Sequence, residues 1–305
     1  MPYPPPVASA TRRLRFEDSL TAVLGRARRG AGDPCMRLWD RGCWRATRTP
    51  DGPSTLSLTV DGGFAEATAW GPGAAWTLEH LPDLLGHDDD TLDDFDPPPG
   101  PVRDLRRRVC LRIGRTLAVA EALVPTILEQ RVTGGEARRS WRLLVRRLGE
   151  PAPGPLHDLR LPPPPEVLAA TPSWVFHRAG VERGRAETVT RAMERASRVD
   201  EAATLPIADA HARLQAFRGI GEWTANEVAL VALGDPDAVS VGDFHLKNMV
   251  AYALAGEARA TDERMLELLE PYRGHRARAV RVVESAGVGA PRFGPRIAVP
   301  QIAAL

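Results

Sequence analysis

Residues 214–248 read LQAFRGIGEWTANEVALVALGDPDAVSVGDFHLKN, and two features in them stand at a set distance. The first is a Gly-x-Gly turn, Gly219-Ile220-Gly221, between an amphipathic segment and an apolar helical one. The second is a lone carboxylate, Asp243, about 20 residues on and poised to open another helix. Glycine at both ends of the turn lets the backbone bend where other residues resist. The amides of Gly221, Glu222, Trp223 and Thr224 then begin the next helix without partners. Such a helix start attracts anions, because free N–H groups and the helix dipole point at one spot.

The pattern resembles the superfamily of DNA glycosylases built on a helix-hairpin-helix, a Gly/Pro-rich loop and a catalytic Asp. There the hairpin runs roughly apolar-x-G-[IV]-G-x-x-[ST]-A; here it is Phe217-Arg218-Gly219-Ile220-Gly221-Glu222-Trp223-Thr224-Ala225, with Arg218 in place of the usual proline. The Asp motif, D-x-[HY/L]-[IL]-x-[RK], is close to Asp243-Phe244-His245-Leu246-Lys247-Asn248. Within the superfamily the chain is most similar to the 3-methyladenine glycosylase II branch. The segment Ile127-Leu128-Glu129-Gln130-Arg131-Val132-Thr133 matches that branch's I-L-x-Q-x-V-[ST] helix end.

Composition sets the outer bounds. A chain of 305 residues, 43% hydrophobic and 26% charged, is long enough for two cores and ordinary for a globular protein. No apolar run reaches membrane-spanning length, and the start MPYPPPVASATRR lacks the apolar stretch of a signal peptide, so a cytoplasmic (nucleoid) location is expected. Cys35, Cys43 and Cys110 lack the short paired spacing of a zinc or iron–sulfur site. Residues 1–100 carry 10 basic and 15 acidic side chains, net −5; residues 101–305 carry 30 and 24, net +6. The second part is the one expected against phosphates. Lys247 is the only lysine, and an arginine-rich codon bias accounts for that.

Along the chain, residues 1–12 read as a disordered Pro-rich arm. Residues 13–95 read as a mixed α/β domain. Leu14–Leu24 suggests a strand running into a helix, while 37–47, 55–60 and 64–70 alternate in strand fashion between Asp/Gly/Pro turns. A short helix is expected over 74–86. The stretch 87–101, HDDDTLDDFDPPPGP, is acidic and Pro-rich and reads as a boundary. From 96 to 288 the periodicity is helical, with helices over 119–133, 136–148, 166–171, 173–179, 183–199, 208–217, 223–233, 244–255, 262–269 and 274–286. Residues 289–305 form a Gly/Pro-rich tail. The fold class is therefore α+β: a small antiparallel sheet with helices, TBP-like, followed by an all-α helix-hairpin-helix domain.

The resemblance implies a role for each matching residue. Asp243 becomes the catalytic carboxylate. A base leaves deoxyribose through a sugar cation, so the enzyme must supply negative charge near C1′ and a positioned water; a carboxylate does both. The alternative, an ordinary Asp N-cap for helix 244–255, would carry the reading only without the hairpin upstream. Relatives that also cut the backbone carry a lysine where this chain has Trp223, so water rather than a Schiff base is implied. Trp223, Phe244, Glu227 and Tyr272 are the base-pocket candidates, with Trp174 and Phe176 as further aromatics, since stacking and cation–π attraction suit a cationic purine. The amides of Gly219, Gly221 and Thr224 would hold a phosphate, with Lys247 nearby. Gln130 and Arg131 stand where the branch places the wedge that fills the gap left by a flipped base. A structural sodium or potassium ion is implied at the backbone carbonyls of Gln215, Phe217 and Gly219, with no other cofactor required. The partner implied is duplex DNA with damaged bases, bound by a monomer, and no membrane. A glycosylase for another damaged base and a non-catalytic hairpin module for DNA binding remain open. The latter would need no carboxylate at 243.

Overall fold

The computed structural model describes residues 9–287. Five strands, β1 (Ser9–Arg15), β2 (Met36–Trp39), β3 (Gly42–Thr49), β4 (Gly52–Asp61) and β5 (Phe64–Trp70), make one antiparallel sheet in the order β1-β5-β4-β3-β2. Side chains alternate across a strand, so Leu56, Leu58 and Val60 of β4 share a covered face with Ala65, Ala67 and Ala69 of β5. Against that face lie α1 (Leu20–Leu24), α2 (Ala74–Glu79) and α3 (Leu81–Leu85). The small alanines let α2 cross β1, β4 and β5 closely.

Two sequence expectations change here. Ser9–Arg12, expected in a disordered arm, belong to β1, because pairing of Ser9–Arg15 with Phe64–Trp70 satisfies their amides; residues 1–8 and 288–305 lie outside the described residues. The run 37–47 is two strands, since the turn at Asp40-Arg41 folds β2 back on β3.

The helices that follow are α4 (Pro101–Leu105), α5 (Val119–Glu129), α6 (Gly134–Leu148), α7 (Pro165–Ala170), α8 (Ser173–Arg178), α9 (Arg183–Met193) and α10 (Ala196–Asp200). Next come α11 (Ile207–Gln215), α12 (Glu222–Val228), α13 (Leu246–Ala255), α14 (Asp262–Leu269) and α15 (Arg276–Ser285). α12 continues into a wider turn of π-helix over Ala229–Leu233. These helices build two cores rather than one. The larger surrounds α5, where Leu123, Ile127 and Leu128 meet Trp141, Phe176, Val189, Leu214 and Val228. The smaller joins α13, α14 and α15, with Val250, Met265, Leu269 and Val282 at its centre.

The acidic stretch expected as a boundary is itself held down. Phe95 and Val102 are buried in the smaller helical core. Asp89 meets the fully buried guanidinium of Arg278 and accepts the Ile113 amide at 3.0 Å. The sheet and the larger core are also locked together. Glu121 of α5 accepts from Arg45 Nη2 at 2.8 Å and Thr47 Oγ1 at 2.7 Å, and Trp141 Nε1 donates to Asp33 at 3.1 Å.

Candidate active site

α11, the turn 216–221 and α12 form the hairpin. Gly219 has φ +94°, and a Cβ there would fall 2.4 Å from Thr188 Oγ1 of α9, so the turn accepts only glycine at this point. Gly221 differs. Its backbone is extended, φ −96° and ψ −176°, a Cβ would meet nothing within 4 Å, and no side chain caps α12. The first-turn amides of α12 therefore open outward, as an anion site requires.

Gln130 is turned inward. Its Nε2 donates to the Gly219 carbonyl at 3.0 Å and lies 2.8 Å from Thr224 Oγ1, binding the end of α5 to the hairpin. Arg131, the other residue expected at the wedge position, is exposed and held at φ +57°, a conformation costing a non-glycine residue roughly 1 kcal/mol or more. Arg185 Nη1 donates to the Leu128 carbonyl at 2.7 Å, and Thr133 caps α6 by accepting the Glu136 amide at 3.3 Å, so the loop is held on both sides of Arg131.

The carbonyls expected to hold a monovalent cation do not form a free cradle. That of Gly219 faces Gln130, and that of Phe217 accepts the Ile220 amide at 3.0 Å; only the Gln215 carbonyl is left. Two carbonyls of the set Gln215, Phe217 and Gly219 thus each accept one hydrogen bond in this structure.

Asp243 ends the loop that follows α12. Its Oδ1 accepts the amides of His245 at 2.7 Å and Leu246 at 2.8 Å, an Asx turn that leads into α13, which begins at Leu246. One oxygen thus serves this turn, and Oδ2 takes no hydrogen bond from the described residues. The loop is braced from two directions. Ser240 Oγ donates to Glu227 of α12, and Asp262 at the start of α14 accepts the Gly242 amide at 3.0 Å. Glu227 lies one helical turn beyond Trp223, so the Ser240 contact sets the face of α12 that carries both beside the loop ending at Asp243, the candidate cleft.

Charges gather at this cleft. Arg26 bonds Glu284 at 2.6 Å; burial opposes its charge, but Glu284 first, then Glu227 and Asp243, raise its pKa above the ordinary value. At the end of α5, burial raises the Glu129 carboxyl pKa, with Arg29 at 3.5 Å opposing the rise and Glu227 adding to it. Glu129, Glu227, Asp243 and Glu284 are thus answered by Arg26, Arg29, Arg138 and Arg281.

Other expected site residues lie elsewhere or are occupied. Tyr272 is a core residue of the α13–α15 cluster, 8% exposed, and Phe176 is buried in the larger core. Trp174 lies on α8 beneath Arg147 and Arg178, each 5.3 Å from its ring. Phe244 is 77% exposed and touches only His245 edge-on, so it projects from the cleft instead of lining it. Lys247 is paired with Asp262 at 3.0 Å and braces the loop rather than reaching outward. Arg26, Glu129, Asp262 and Glu284 were not foreseen. They lie up to 258 residues from their partners in sequence, and no local spacing marks them.

No known protein-family pattern matches this sequence, and no curated protein does. Solved structures do. A 3-methyladenine DNA glycosylase from Archaeoglobus fulgidus superposes with TM-score 0.72 over 89% of this chain and 96% of its own, at 17% identity. The fold is that of the helix-hairpin-helix DNA glycosylases. A Clostridium acetobutylicum 8-oxoguanine glycosylase/lyase, solved with double-stranded DNA, aligns with TM-score 0.60 over 90% of this chain and 98% of its own, at 12% identity. A Schizosaccharomyces pombe 3-methyladenine DNA glycosylase in complex with abasic DNA aligns with TM-score 0.51 over 63% of this chain and 93% of its own, at 16% identity. In this glycosylase fold the sheet and both helical cores belong to one shared architecture, since the first two alignments span nearly the whole chain. Among the described residues no helix is long and apolar enough to cross a membrane, and no group of three metal-ligating side chains occurs.

Proposed function

We propose that this protein is a monofunctional DNA glycosylase that hydrolyses the N-glycosidic bond of an alkylated purine, of the 3-methyladenine type, flipped out of duplex DNA. The observation that carries this reading is Asp243: one oxygen accepts the two amides that lead into α13, and the other takes no hydrogen bond from the described residues. Hairpin amides at Gly219, Gly221 and Thr224 grip a backbone phosphate without reading sequence. Arg131 enters the gap left by the flipped nucleotide, where a guanidinium stacks on bases and pairs with phosphate.

In the reaction, the C1′–N bond breaks as positive charge grows on the sugar. The free oxygen of Asp243 stabilises that charge and accepts a proton from the attacking water. Trp223 stacks on the base. The Asp243 carboxylate and a stacking tryptophan suit a base that arrives with positive charge, which an alkylated purine does and an oxidised guanine does not. A lyase would need an amine at position 223, and the chain's single lysine is engaged with Asp262. The protein is proposed to act as a monomer on DNA in the cytoplasm.

A panel of duplexes, each with one defined lesion, tests this reading. The expected product is an intact strand bearing an abasic site, nicked only after alkali or heat, with 3-methyladenine released fastest. A covalent complex trapped by borohydride would overturn the water mechanism. Preference for a neutral oxidised base would overturn the substrate class.

A further inference from the structure

Helix α6 begins three residues after Arg131 and carries Arg138, Arg139, Arg142, Arg146 and Arg147 on its outer side. Its inner side, Ala137, Ser140, Trp141, Leu144 and Val145, is buried. Among the described residues none of these five arginines meets a carboxylate, and residues 1–8 and 288–305 contain no Asp or Glu. Some arginines elsewhere on the surface are paired, Arg183 with Glu187, Arg264 with Glu257 and Arg273 with Glu270. Arg107, Arg108, Arg195, Arg218 and Arg259 meet no carboxylate among the described residues but are not grouped on one helix face. The one acid of α6, Glu136, is buried against Arg185.

The arginines are also given room. A Cβ at Gly30 would fall 2.7 Å from Arg138 Cδ, and one at Gly32 would fall 3.1 Å from Arg142 Cδ. Gly30 has φ +84° and needs glycine for its backbone as well. Gly32 has no such demand, and the nearest atoms a Cβ would meet there belong to Arg142. Two glycines of the loop before β2 thus leave space for the stems that carry these charges.

Resting on the glycosylase reading above, we infer that α6 is a second phosphate contact. It carries the duplex that flanks the lesion away from Arg131, along Arg138, Arg139, Arg142 and Arg146. Arg138, Arg142 and Arg146 repeat every four residues, so they stand about 6 Å apart along the helix axis. Phosphates recur along a DNA strand at a comparable spacing, so successive arginines each face one phosphate of a strand lying alongside. An acidic protein partner is the weaker fit. Protein interfaces centre on a buried apolar patch, whereas Leu143 is the only large apolar side chain exposed on this helix.

The test compares the parent protein with the triple variant Arg139→Gln, Arg142→Gln, Arg146→Gln, which keeps stems of similar length and removes three charges. Binding to an undamaged duplex of about 20 base pairs is measured as a function of salt, and the slope of log affinity against log salt should become shallower by about 2–3. Arg139→Gln alone, at an exposed position, should remove roughly 0.9 of that slope and guards against misfolding of the triple variant. Arg264→Gln, which breaks an ion pair far from α6, should leave the slope at the parent value. An unchanged slope in the triple variant, with parental melting temperature, would overturn the inference and return the helix to an acidic protein partner or plain solvation. Base release by the parent protein is followed in parallel on a 3-methyladenine duplex. Its absence would remove the glycosylase reading while the salt slopes still decide whether α6 faces DNA.

Discussion

The hairpin turn and the Asp243 loop stand side by side, joined where Ser240 meets Glu227, yet they are held in shape by opposite means. The hairpin takes its shape chiefly from its own backbone, a glycine at φ +94° and an extended residue before α12, with Gln130 as its one side-chain tie from α5. The Asp243 loop is held by distant side chains, Glu227 from the helix before it and Asp262 from the helix after it. A backbone device survives changes around it and fails when its own residue changes. A side-chain device fails in increments as each brace is removed. The difference suits the proposed roles, since gripping a phosphate needs fixed amides, whereas placing a carboxylate at C1′ needs accuracy that several braces supply together.

The sharpest way to separate the two regions is Asp243→Asn. Base release should fall at least ten-fold, while affinity for an abasic-site duplex stays within a few-fold, because the charge serves the transition state. Activity above about a tenth of the parent would remove Asp243 from the reaction. The hairpin should behave in the reverse sense. Gly221→Asp meets open space and no backbone strain, so stability should hold while duplex affinity drops about ten-fold or more through repulsion of phosphate. Gly219→Ala should instead cost about 1–3 kcal/mol of stability, through φ +94° and the collision with Thr188, read as a lower melting temperature. If both glycine variants behave alike, the distinction between an anion-binding and a strained position is wrong.

Bracing is tested at Asp262. Asp262→Ala frees the Gly242 amide and unpairs Lys247, and should slow single-turnover base release by roughly ten-fold, the kinetic equivalent of about 1.4 kcal/mol. Duplex affinity should move little, and Asp262→Asn, which keeps an acceptor for Gly242, should recover part of the rate. Equal losses in rate and affinity would mean that the brace serves the fold as a whole.

The smallest effect expected is a pH dependence. Burial raises the Glu129 carboxyl, with Arg29 opposing, so the folded protein holds that proton to a higher pH than the unfolded chain. Its contribution to stability is therefore fully present below the unfolded value near 4.5 and is lost as pH rises through the raised folded value. Glu129→Gln should flatten the melting temperature across that window, a change on the order of a degree or two. A steeper profile in the variant would refute the direction assigned to Glu129.

Much of this protein could be read from the chain alone because the deciding constraints are local. The alternation in 55–60 and 64–70 marks strands, since a strand exposes its two faces by turns. Gly219 marks the hairpin because its φ excludes a side chain, and Asp243 marks a helix start because its carboxylate has amides two and three residues away to bind. What tertiary structure decided are the partners brought from afar. Tyr272 reads as a pocket aromatic until α13, α14 and α15 close over it. Lys247 reads as a DNA contact until Asp262 arrives from the next helix, and Gln130 reads as part of a wedge until its amide finds the Gly219 carbonyl 89 residues on. Local geometry depends on a few neighbouring dihedral angles, which residue types restrict directly. The charge, burial and orientation of a functional side chain depend on which remote segment packs against it, and no spacing in the sequence encodes that.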